Sequence, residues 1–387
     1  MLRNRYHICR TFVFVLPVLL TTQSRVGEWK SYTSVLDVRE CVEINDELIC
    51  ATSGGLLIFD RTEELFETIT NVNGLVETDL SALTIDKEGH LWVGSAATEG
   101  VVVLYDLDQR KLYNIIIPFY YDLTEIVDIV TTDSVAFVAC SENLDFEIRA
   151  FFWSEKDGKY FYKERYNPSE ERLDYISDIA VIGDSLFVAT DLGMFVGNYN
   201  QHILFYPQNW VRITEFDGQS ITPVTRLKTI GSEYYLIGNG SIWRYGDNPE
   251  LVSSVYSGTT YLKDITLTTD GTLFGITGHK LVRFAETGTI DTLWSIKPTA
   301  QRLITLNDNR LLLSTTKGLG IFDIDGELFT WFVPNSPISN AFTALTVLED
   351  GRLAAAGKEG ISILSEYGWY NIVPSNDTTI IKNYQSD

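Results

Sequence analysis

Short apolar stretches separated by polar turns follow one another along the chain from about Ser34 onward. The stretch Asn73 to Ser95, NGLVETDLSALTIDKEGHLWVGS, shows the plan: a connector, an apolar strand (LSALTI), a polar turn (DKEGH) and a second apolar strand (LWVGS). Apolar runs of this length between Gly and Asp turns are typical of β-strands. No helical period lies between them, so the pattern predicts an antiparallel meander.

The second strand of this plan recurs eight times, which indicates an internal repeat. The eight copies are LICAT (48–52), LWVGS (91–95), AFVAC (136–140), LFVAT (186–190), YLIGN (235–239), LFGIT (273–277), LLLST (311–315) and LAAAG (353–357). They recur every 38 to 50 residues, the period expected of a four-stranded unit. The fourth residue is small in seven of the eight copies, Ile276 being the exception. A small residue fits where neighbouring sheets crowd together.

Each unit continues with a third strand and an aromatic fourth strand, such as GLLIFD and LFETIT in the first unit. A single four-stranded sheet cannot bury both of its faces, whereas sheets stacked radially cover one another. We therefore predict an all-β fold, a β-propeller of four-stranded antiparallel blades with eight repeats. The segment Gly27 to Thr33 copies the fourth-strand pattern and is a candidate closure strand, although the last unit already has a fourth strand. The ring is either eight-bladed, or seven-bladed with an extra unit.

The two ends of the chain differ from the repeats. Three arginines precede the apolar run Thr11 to Leu20, and small polar residues follow it, which is the layout of a secretory signal peptide. A run of this length that contains Pro17 is too short to cross a bilayer of about 30 Å. We predict a signal peptide at 1–25, a β-propeller at 26–374, and at 375–387 a tail or the truncated start of a further repeat. No segment after the signal peptide is apolar enough to span a membrane.

Charge narrows the range of partners. The chain has 52 acidic and 30 basic residues, which gives a net charge of −22. An excess of negative charge disfavours binding to a nucleic-acid backbone or to anionic lipid. We therefore expect no nucleic-acid partner.

Two of the cysteines, Cys41 and Cys50, are placed where they could form a disulfide bridge. A two-residue turn at Asn45-Asp46 would place Cys41 directly opposite Cys50 on neighbouring strands. In an exported protein such a pair can form a disulfide, and two small buried apolar residues are the alternative. Cys140 is then predicted to be a buried thiol.

The stretch Asn73 to Ser95 resembles the repeat of two-component-regulator propellers, with an NGL connector, an acidic-Gly turn, a Leu-Trp pair and a Gly-Ser end. The start GEWKSYTSVLDV, followed by LICATSGGLLIFD, is similar to the opening of PorZ-like proteins of the type IX secretion system. This resemblance implies a cell-surface or periplasmic propeller engaged in protein export and in the handling of envelope polysaccharide. Such proteins usually carry a second propeller and a C-terminal sorting domain.

Candidate chemistry is sparse. His90, His202 and His279 are the histidines outside the signal peptide, and their spacing makes no metal-ligand set. No nucleophile elbow, phosphate-binding loop or calcium-loop pattern is present in the sequence. We predict no catalytic residue, no metal and no cofactor.

A ligand is expected at one mouth of the central channel. The loops that join the fourth strand to the next first strand, and the second strand to the third, gather there and can vary without disturbing the blades. Exposed aromatic rings beside amides and carboxylates suit glycans or peptide segments. The candidate binding residues are Tyr120, Tyr121, Asp191, Tyr261 and Asn335.

Two functional hypotheses follow. The first is a non-catalytic exported propeller, secreted, periplasmic or on the cell surface, that acts as a scaffold or recognition module. Its partner would be a protein or an envelope polysaccharide, in a role connected with protein secretion. The alternative is a propeller enzyme, either a lyase or a glycosidase, or the extracellular sensor module of a two-component system. Perturbed carboxylates or a histidine in the channel mouth would favour the enzyme.

Overall fold

The computed structural model describes residues 29–96, 99–118, 123–230, 233–245, 253–257, 261–285 and 289–374. In this part of the chain thirty-two strands form eight four-stranded antiparallel sheets in meander order, and two short strands form a separate hairpin. The predicted all-β fold of four-stranded antiparallel blades is therefore confirmed. The predicted signal peptide and the tail at 375–387 lie outside the described residues. Within the described part no helix is long and apolar enough to cross a membrane.

The first seven sheets, blades 1 to 7, have the following bounds. Blade 1 contains β1 (Val38–Ile44), β2 (Glu47–Thr52), β3 (Gly55–Asp60) and β4 (Leu65–Ile69); blade 2 contains β5 (Leu80–Ile85), β6 (Leu91–Ser95), β7 (Val102–Asp106) and β8 (Lys111–Ile117); blade 3 contains β9 (Glu125–Thr131), β10 (Val135–Glu142), β11 (Asp145–Ser154) and β12 (Lys159–Tyr166); blade 4 contains β13 (Ile176–Ile182), β14 (Ser185–Thr190), β15 (Gly193–Asn198) and β16 (Val211–Ile213). Blade 5 contains β19 (Val224–Ile230), β20 (Glu233–Gly238), β21 (Ser241–Tyr245) and β22 (Ser253–Tyr256); blade 6 contains β23 (Asp264–Leu267), β24 (Leu273–Ile276), β25 (Lys280–Phe284) and β26 (Ile290–Ser295); blade 7 contains β27 (Ala300–Thr305), β28 (Leu311–Thr315), β29 (Gly318–Asp323) and β30 (Leu328–Phe332).

The remaining elements lie between blades or after them. The short hairpin β17 (Glu215–Phe216) and β18 (Gln219–Ser220) separates blades 4 and 5, and single 3-10 turns occur at Asn71–Asn73 and Pro207–Asn209. The eighth sheet contains β31 (Phe342–Val347), β32 (Leu353–Gly357), β33 (Gly360–Ser365) and β34 (Gly368–Ile372).

Seven blades close into a ring. Seven hydrophobic cores lie between neighbouring blades, and six of them join blades that are consecutive in the chain. The seventh joins blade 7 to blade 1, with Leu312 and Leu319 on one side and Val38, Leu57 and Phe59 on the other. No residue of the eighth sheet belongs to any of these cores among the described residues. Of the two predicted arrangements, the structure therefore has the seven-bladed ring with an extra unit.

The small fourth residue of the repeat lies where the blades crowd together. A Cβ atom added to Gly94 of blade 2 would come within 2.6 Å of Ile126 at the start of blade 3. In blade 5 the strand pairing puts Ile237 at this position, so the predicted small residue is wrong there. The exception expected from the sequence, Ile276 of blade 6, shares a core with Ala300 at the start of blade 7. The large and small residues have exchanged sides at that junction, so the volume between the blades is conserved.

Ring closure uses packing instead of a shared strand. Residues 31–37 form no strand, so the prediction of a closure strand at Gly27 to Thr33 is wrong for its described part. Blade 7 already has four strands, and the segment before β1 instead accepts one backbone hydrogen bond, from the Gly318 amide to the Leu36 carbonyl at 2.8 Å. The apolar core between blades 7 and 1 therefore supplies the closure.

The eighth sheet is tied to the ring at one end, and its first strand is exposed. The Asn340 amide donates to the carbonyl of Ser53 at 2.8 Å and to that of Ser34 at 3.0 Å. Its first strand, however, exposes Leu345 and Val347, at 68% and 66%. In the ring, the neighbouring blades cover the first strand of each blade. The eighth sheet has the sequence pattern of a blade, but in the described part of the chain no neighbouring blade covers its first strand.

Asn45 sets the register of the first hairpin. Its φ of 55° lies in the left-handed region, which asparagine adopts readily and which a two-residue turn requires. The turn pairs Ile44 with Glu47 and thereby places Cys41 opposite Cys50. The two cysteines form a disulfide with their Cα atoms 4.1 Å apart. Cys140 is a buried free thiol.

Candidate functional site

The first strand of every blade lies nearest the ring axis, as its position at one edge of each meander and its contacts with the next blade require. One position on this strand recurs around the ring, and in six of seven blades it holds an ionisable residue. The seven residues, in blade order, are Glu40, Ala82, Asp128, Asp178, Arg226, Asp264 and Arg302. The signs of charge alternate from Asp178 of blade 4 through blades 5, 6 and 7 to Glu40 of blade 1, whereas blade 2 has an alanine and blade 3 a further aspartate.

Arg226 of blade 5 connects four blades. Its guanidinium group lies 3.3 Å from Asp178 of blade 4, 3.3 Å from Asp264 of blade 6 and 3.8 Å from Glu40 of blade 1. The same Glu40 carboxylate lies 2.7 Å from Arg302 of blade 7. Because blades 5 and 1 are not neighbours, the Arg226 to Glu40 contact crosses the axis. The ion network therefore forms a floor across the channel.

The charges of this floor compensate one another. Burial alone would raise the pKa of Asp264, but Lys228, Arg226 and Arg302 outweigh it and hold the pKa at about 2. Burial would likewise lower the pKa of Arg226, and the carboxylates of Asp178 and Asp264 raise it instead. A buried charge is tolerated only when it is paired and hydrogen-bonded, which is the case for both residues.

Three carboxylates of the floor also fasten each blade to the next. Asp128 accepts the backbone N–H of Ile179 at 3.0 Å. In the same way, Asp178 accepts that of Leu227 at 2.8 Å, and Asp264 that of Leu303 at 2.9 Å. These bonds satisfy amides of inner strands that have no partner strand on that side. The carboxylates are thus bound into the scaffold.

The carboxyl groups of Asp128 and Asp178 meet where both accept the backbone N–H of Ile179. Burial raises the pKa of Asp128 well above its ordinary value, and the neighbouring Asp178 carboxylate raises it further. Asp128 therefore stays protonated to a higher pH than an ordinary aspartate, and in that form it can donate to the Asp178 carboxylate.

Replacing Asp128 with asparagine is expected to stabilise the protein at neutral pH. In the wild type the raised pKa of Asp128 stabilises the folded state. This contribution is fully present below pH 3.8, the ordinary pKa of an aspartate, and is lost as the pH rises through the pKa of Asp128 in the folded state. Asparagine cannot ionise, yet it keeps a donor for Asp178 and an acceptor for Ile179. Each unit of pKa shift is worth about 1.4 kcal/mol. Urea unfolding of Asp128→Asn should show a gain at pH 7 and none at pH 3; a loss at both would contradict the protonated pair.

One mouth of the channel lies above this floor, on the side where the first strands begin. There Asp191, in the turn between β14 and β15, accepts the backbone N–H groups of Asp174 at 3.1 Å and of Tyr175 at 3.4 Å. Burial raises the pKa of Tyr175, and the nearby Asp191 and Tyr261 raise it further. The three side chains therefore lie in one region of the mouth. The Tyr261 ring is 68% exposed. Two predicted residues, Asp191 and Tyr261, therefore lie near each other, with Tyr175 between the two chain segments.

Charged side chains form the rest of the rim. Arg39 lies 3.0 Å from Asp37 and 2.6 Å from Asp79. Lys263, two residues after Tyr261, donates to the Ala300 carbonyl at 3.0 Å, and burial and the nearby Arg302 lower its pKa. Both cations are already oriented by the scaffold, which suits the recognition of a polar ligand at low entropic cost.

The other predicted binding residues are placed elsewhere or not described. Asn335 accepts the backbone N–H of Trp369 at 2.7 Å and joins the ring to the eighth sheet. Tyr120 and Tyr121 lie outside the described residues.

The histidines lie apart from the inner rim. His90 stacks on Tyr113 with ring centroids 4.2 Å apart, and its Nδ1 lies 3.2 Å from the buried Asp86 carboxylate, on the opposite side of the ring. His279 is exposed on the turn between β24 and β25, on the mouth side, and His202 is exposed in the segment between β15 and β16. Among the described residues no group of three metal-ligating side chains is close enough to hold a metal ion.

Sequence reasoning missed the channel floor and Tyr175. The signal was available in the aligned first strands, where a charged residue follows the same buried position in successive blades. A charge in one strand is unremarkable, but six at one position of a repeat indicate a common environment.

Comparison with known proteins supports the fold. No protein-family model and no curated protein matches the sequence. The structure is similar to PorZ, an essential surface component of the type IX secretion system of Porphyromonas gingivalis, with a TM-score of 0.64 and 15% identity. That match covers 89% of this chain, which spans only 46% of PorZ.

Other propellers are similar at the same level. Sqt1 of Saccharomyces cerevisiae matches with a TM-score of 0.54 and 13% identity over 89% of this chain and 98% of Sqt1. A catalytically inactive virginiamycin B lyase from Staphylococcus aureus, solved with quinupristin, matches with 0.51 and 12% over 73% and 93%. Identities this low show the fold alone. The expected resemblance to PorZ-like propellers is thus confirmed at the level of fold: this chain is a seven-bladed β-propeller followed by an eighth four-stranded sheet.

Proposed function

We propose that the chain is a non-catalytic binding propeller of the cell envelope. The channel mouth around Tyr175, Asp191 and Tyr261 binds a segment of a protein partner or an envelope glycan handled during protein secretion. The mouth is a recognition surface on a rigid scaffold, and the protein catalyses no reaction there.

The charged floor is the observation that carries this proposal. Arg226 crosses the axis to Glu40, so a ligand enters from the mouth and rests above the ion network. The floor carboxylates accept backbone N–H groups of the next blade, and a carboxylate used in this way is poorly placed to exchange protons with a substrate. Exposed Tyr261 and the oriented Lys263 offer a stacking surface and a donor instead.

Three further observations support an exported location. The Cys41–Cys50 disulfide is stable in an oxidising compartment and rare in the cytosol. PorZ, which shares the fold, is a bacterial surface component. The apolar run before residue 25 fits a signal peptide.

Removing the Tyr261 ring is expected to weaken binding of the mouth ligand about tenfold or more, because burying an aromatic ring against a ligand contributes on the order of 1.5–3 kcal/mol. The wild type and Tyr261→Ala would be compared on an array of bacterial envelope polysaccharides and secreted-protein peptides, with affinities then measured by calorimetry. Tyr370→Ala is the matched control, since that tyrosine of the eighth sheet is 61% exposed and lies away from the mouth.

The same samples separate binding from catalysis. The wild type would be incubated with panels of glycosides and cyclic esters, and products would be followed by mass spectrometry. We expect binding without turnover. Product formation that requires Asp128 or His279 would overturn the non-catalytic proposal, and equal binding by the Tyr261 and Tyr370 variants would overturn the location of the site.

A further inference from the structure

A second cleft lies on the outer side of the ring between blades 2 and 3. It has a volume of about 300 Å³ and is enclosed by β8, the outermost strand of blade 2, and by β11 and β12 of blade 3. The lining residues are Asn114, Ile115, Ile116, Ile117, Arg149, Phe151, Tyr160, Tyr162 and Arg165. This volume is at the lower end of the range for ligand pockets, about 300–1,000 Å³. The mouth proposed above faces the ring axis, so the two surfaces are separate.

The cleft is basic within an acidic protein. Among the described residues Arg149 and Arg165 line it and no carboxylate does, whereas the whole chain has a net charge of −22. Glu147 holds both guanidinium groups, at 2.7 Å from Nε of Arg149 and 3.3 Å from Nη1 of Arg165, and Glu142 lies 3.4 Å from Arg149. These carboxylates orient the guanidinium groups without lining the cleft. Half of the Arg165 side chain remains exposed at the rim, which leaves it accessible to an acidic ligand.

One wall of the cleft is the free edge of a sheet. Within the part of the chain that the structure describes, β8 pairs with β7 alone, and four consecutive residues of it line the cleft. As an outermost antiparallel strand, β8 directs alternate backbone N–H and C=O groups away from β7. The N–H of Ile115 donates to the Asn114 side chain at 2.9 Å. An incoming strand can replace that side chain with its own carbonyl, as in binding by strand addition.

The opposite wall is aromatic. Tyr162 is 55% exposed and meets Phe151 edge to face, with ring centroids 5.7 Å apart. The Ile115 side chain, 40% exposed, faces the same opening from β8. Apolar surface on both walls suits the alternate side chains of an extended peptide.

From the free strand edge, the basic rim and the apolar walls, we propose that this cleft binds an extended acidic peptide as an added strand on β8. Apolar side chains of the peptide pack between Ile115 and Tyr162, and a carboxylate side chain pairs with Arg165. Charge complementarity in an otherwise acidic protein selects the acidic peptide over a basic one. The open backbone edge favours a peptide over a saccharide, which has no strand to add.

The probe is a fluorescein-labelled octapeptide that alternates leucine and aspartate, with its leucine-lysine counterpart as the charge control. Fluorescence polarisation with the full chain should show binding of the acidic peptide only, and Arg165→Glu should weaken it at least tenfold. Arg283→Glu is the matched control, because Arg283 is similarly exposed and lies 3.6 Å from Asp291 on blade 6. It should leave the affinity unchanged.

Two further measurements test the binding mode. An acidic peptide with alternate backbone nitrogens methylated should lose binding, and the methyl signals of Ile115, Ile116 and Ile117 should shift on addition of the unmodified peptide. Equal binding of both octapeptides, equal losses in the two arginine variants, or tighter Arg165-dependent binding of an oligogalacturonate would overturn the proposal. Tyr261→Ala should bind the peptide normally, so failure at the channel mouth is distinguished from failure at this cleft.

Discussion

Replacing Arg226 with methionine is expected to lower the free energy of unfolding by about 3–5 kcal/mol at pH 7, the usual loss when one partner of a buried ion pair is removed. Methionine fills a similar volume, so the loss comes from charge. The carboxylates of Asp178 and Asp264 would remain in place with exposed fractions of 6% and 0%. Urea unfolding followed by tryptophan fluorescence measures the change.

The pH dependence identifies the cause. In the wild type Asp264, with its pKa of about 2, contributes stability that is present above the ordinary value of 3.8 and is lost as the pH falls through the folded-state pKa. Without Arg226 the folded-state pKa of Asp264 rises and this contribution shrinks, so the deficit of Arg226→Met should be largest at pH 7 and smaller at pH 4. Arg226→Lys keeps one charge and should lose less than methionine. Arg283→Met, which breaks an exposed pair, should cost only about 0–1 kcal/mol. An equal loss at both pH values would show that lost packing is the cause.

The network also explains why a ring of seven similar sheets holds its shape. Asp128, Asp178 and Asp264 each accept a backbone N–H of the next blade, and the ion pair between Arg226 and Glu40 crosses the axis. Apolar packing between blades is not directional, whereas these hydrogen bonds and ion pairs fix the position of each blade along the ring axis relative to its neighbour. Because the blades are held at fixed positions along the axis, Tyr175 and Tyr261, which come from different blades, stay together in one mouth.

Local sequence predicted the blade and left the number of blades open. Turn chemistry at Asn45 and apolar runs between polar turns are short-range properties, so strands, hairpins and the Cys41 to Cys50 register could be predicted from them. Ring closure depends on contact between blade 7 and blade 1, whose residues are far apart in the sequence. The eighth sheet has the same internal pattern as the others, and only the missing neighbour of Leu345 and Val347 distinguishes it.

The candidate site could be predicted only in part, for a related reason. Asp191 and Tyr261 were found because loops of a propeller gather at a mouth. Asn335 occupies an equivalent loop, but the eighth sheet uses its side chain to hold Trp369, and that contact depends on the extra unit. The exchange of Ile276 and Ala300 is similar. Each residue has an unusual size for its position in its own strand, and the reason is visible only in the core that the two residues share between blades 6 and 7.

Replacing Trp92 with alanine is expected to lower the free energy of unfolding by about 3–5 kcal/mol, because it empties the core between blades 2 and 3. Trp92 is fully buried there, and Tyr160 of blade 3 packs against its ring edge to face with centroids 4.7 Å apart. Its indole N–H also donates to the buried Asp86 carboxylate at 3.2 Å. Denaturant unfolding with an unchanged slope would show that the variant keeps the native fold.

Phenylalanine variants separate the cavity from the hydrogen bond, with Trp243 of blade 5 as the matched control. Trp243 is equally buried, but within the described residues no acceptor lies in hydrogen-bonding range of its indole nitrogen. Trp92→Phe removes a donor from Asp86, which leaves a buried carboxylate less well satisfied, at a cost of about 1–3 kcal/mol beyond the lost volume. Trp243→Phe removes a polar atom that gains nothing from burial, so it should cost less than Trp92→Phe. Equal losses in the two variants would show that the Asp86 bond adds nothing and that volume alone decides the stability of these junctions.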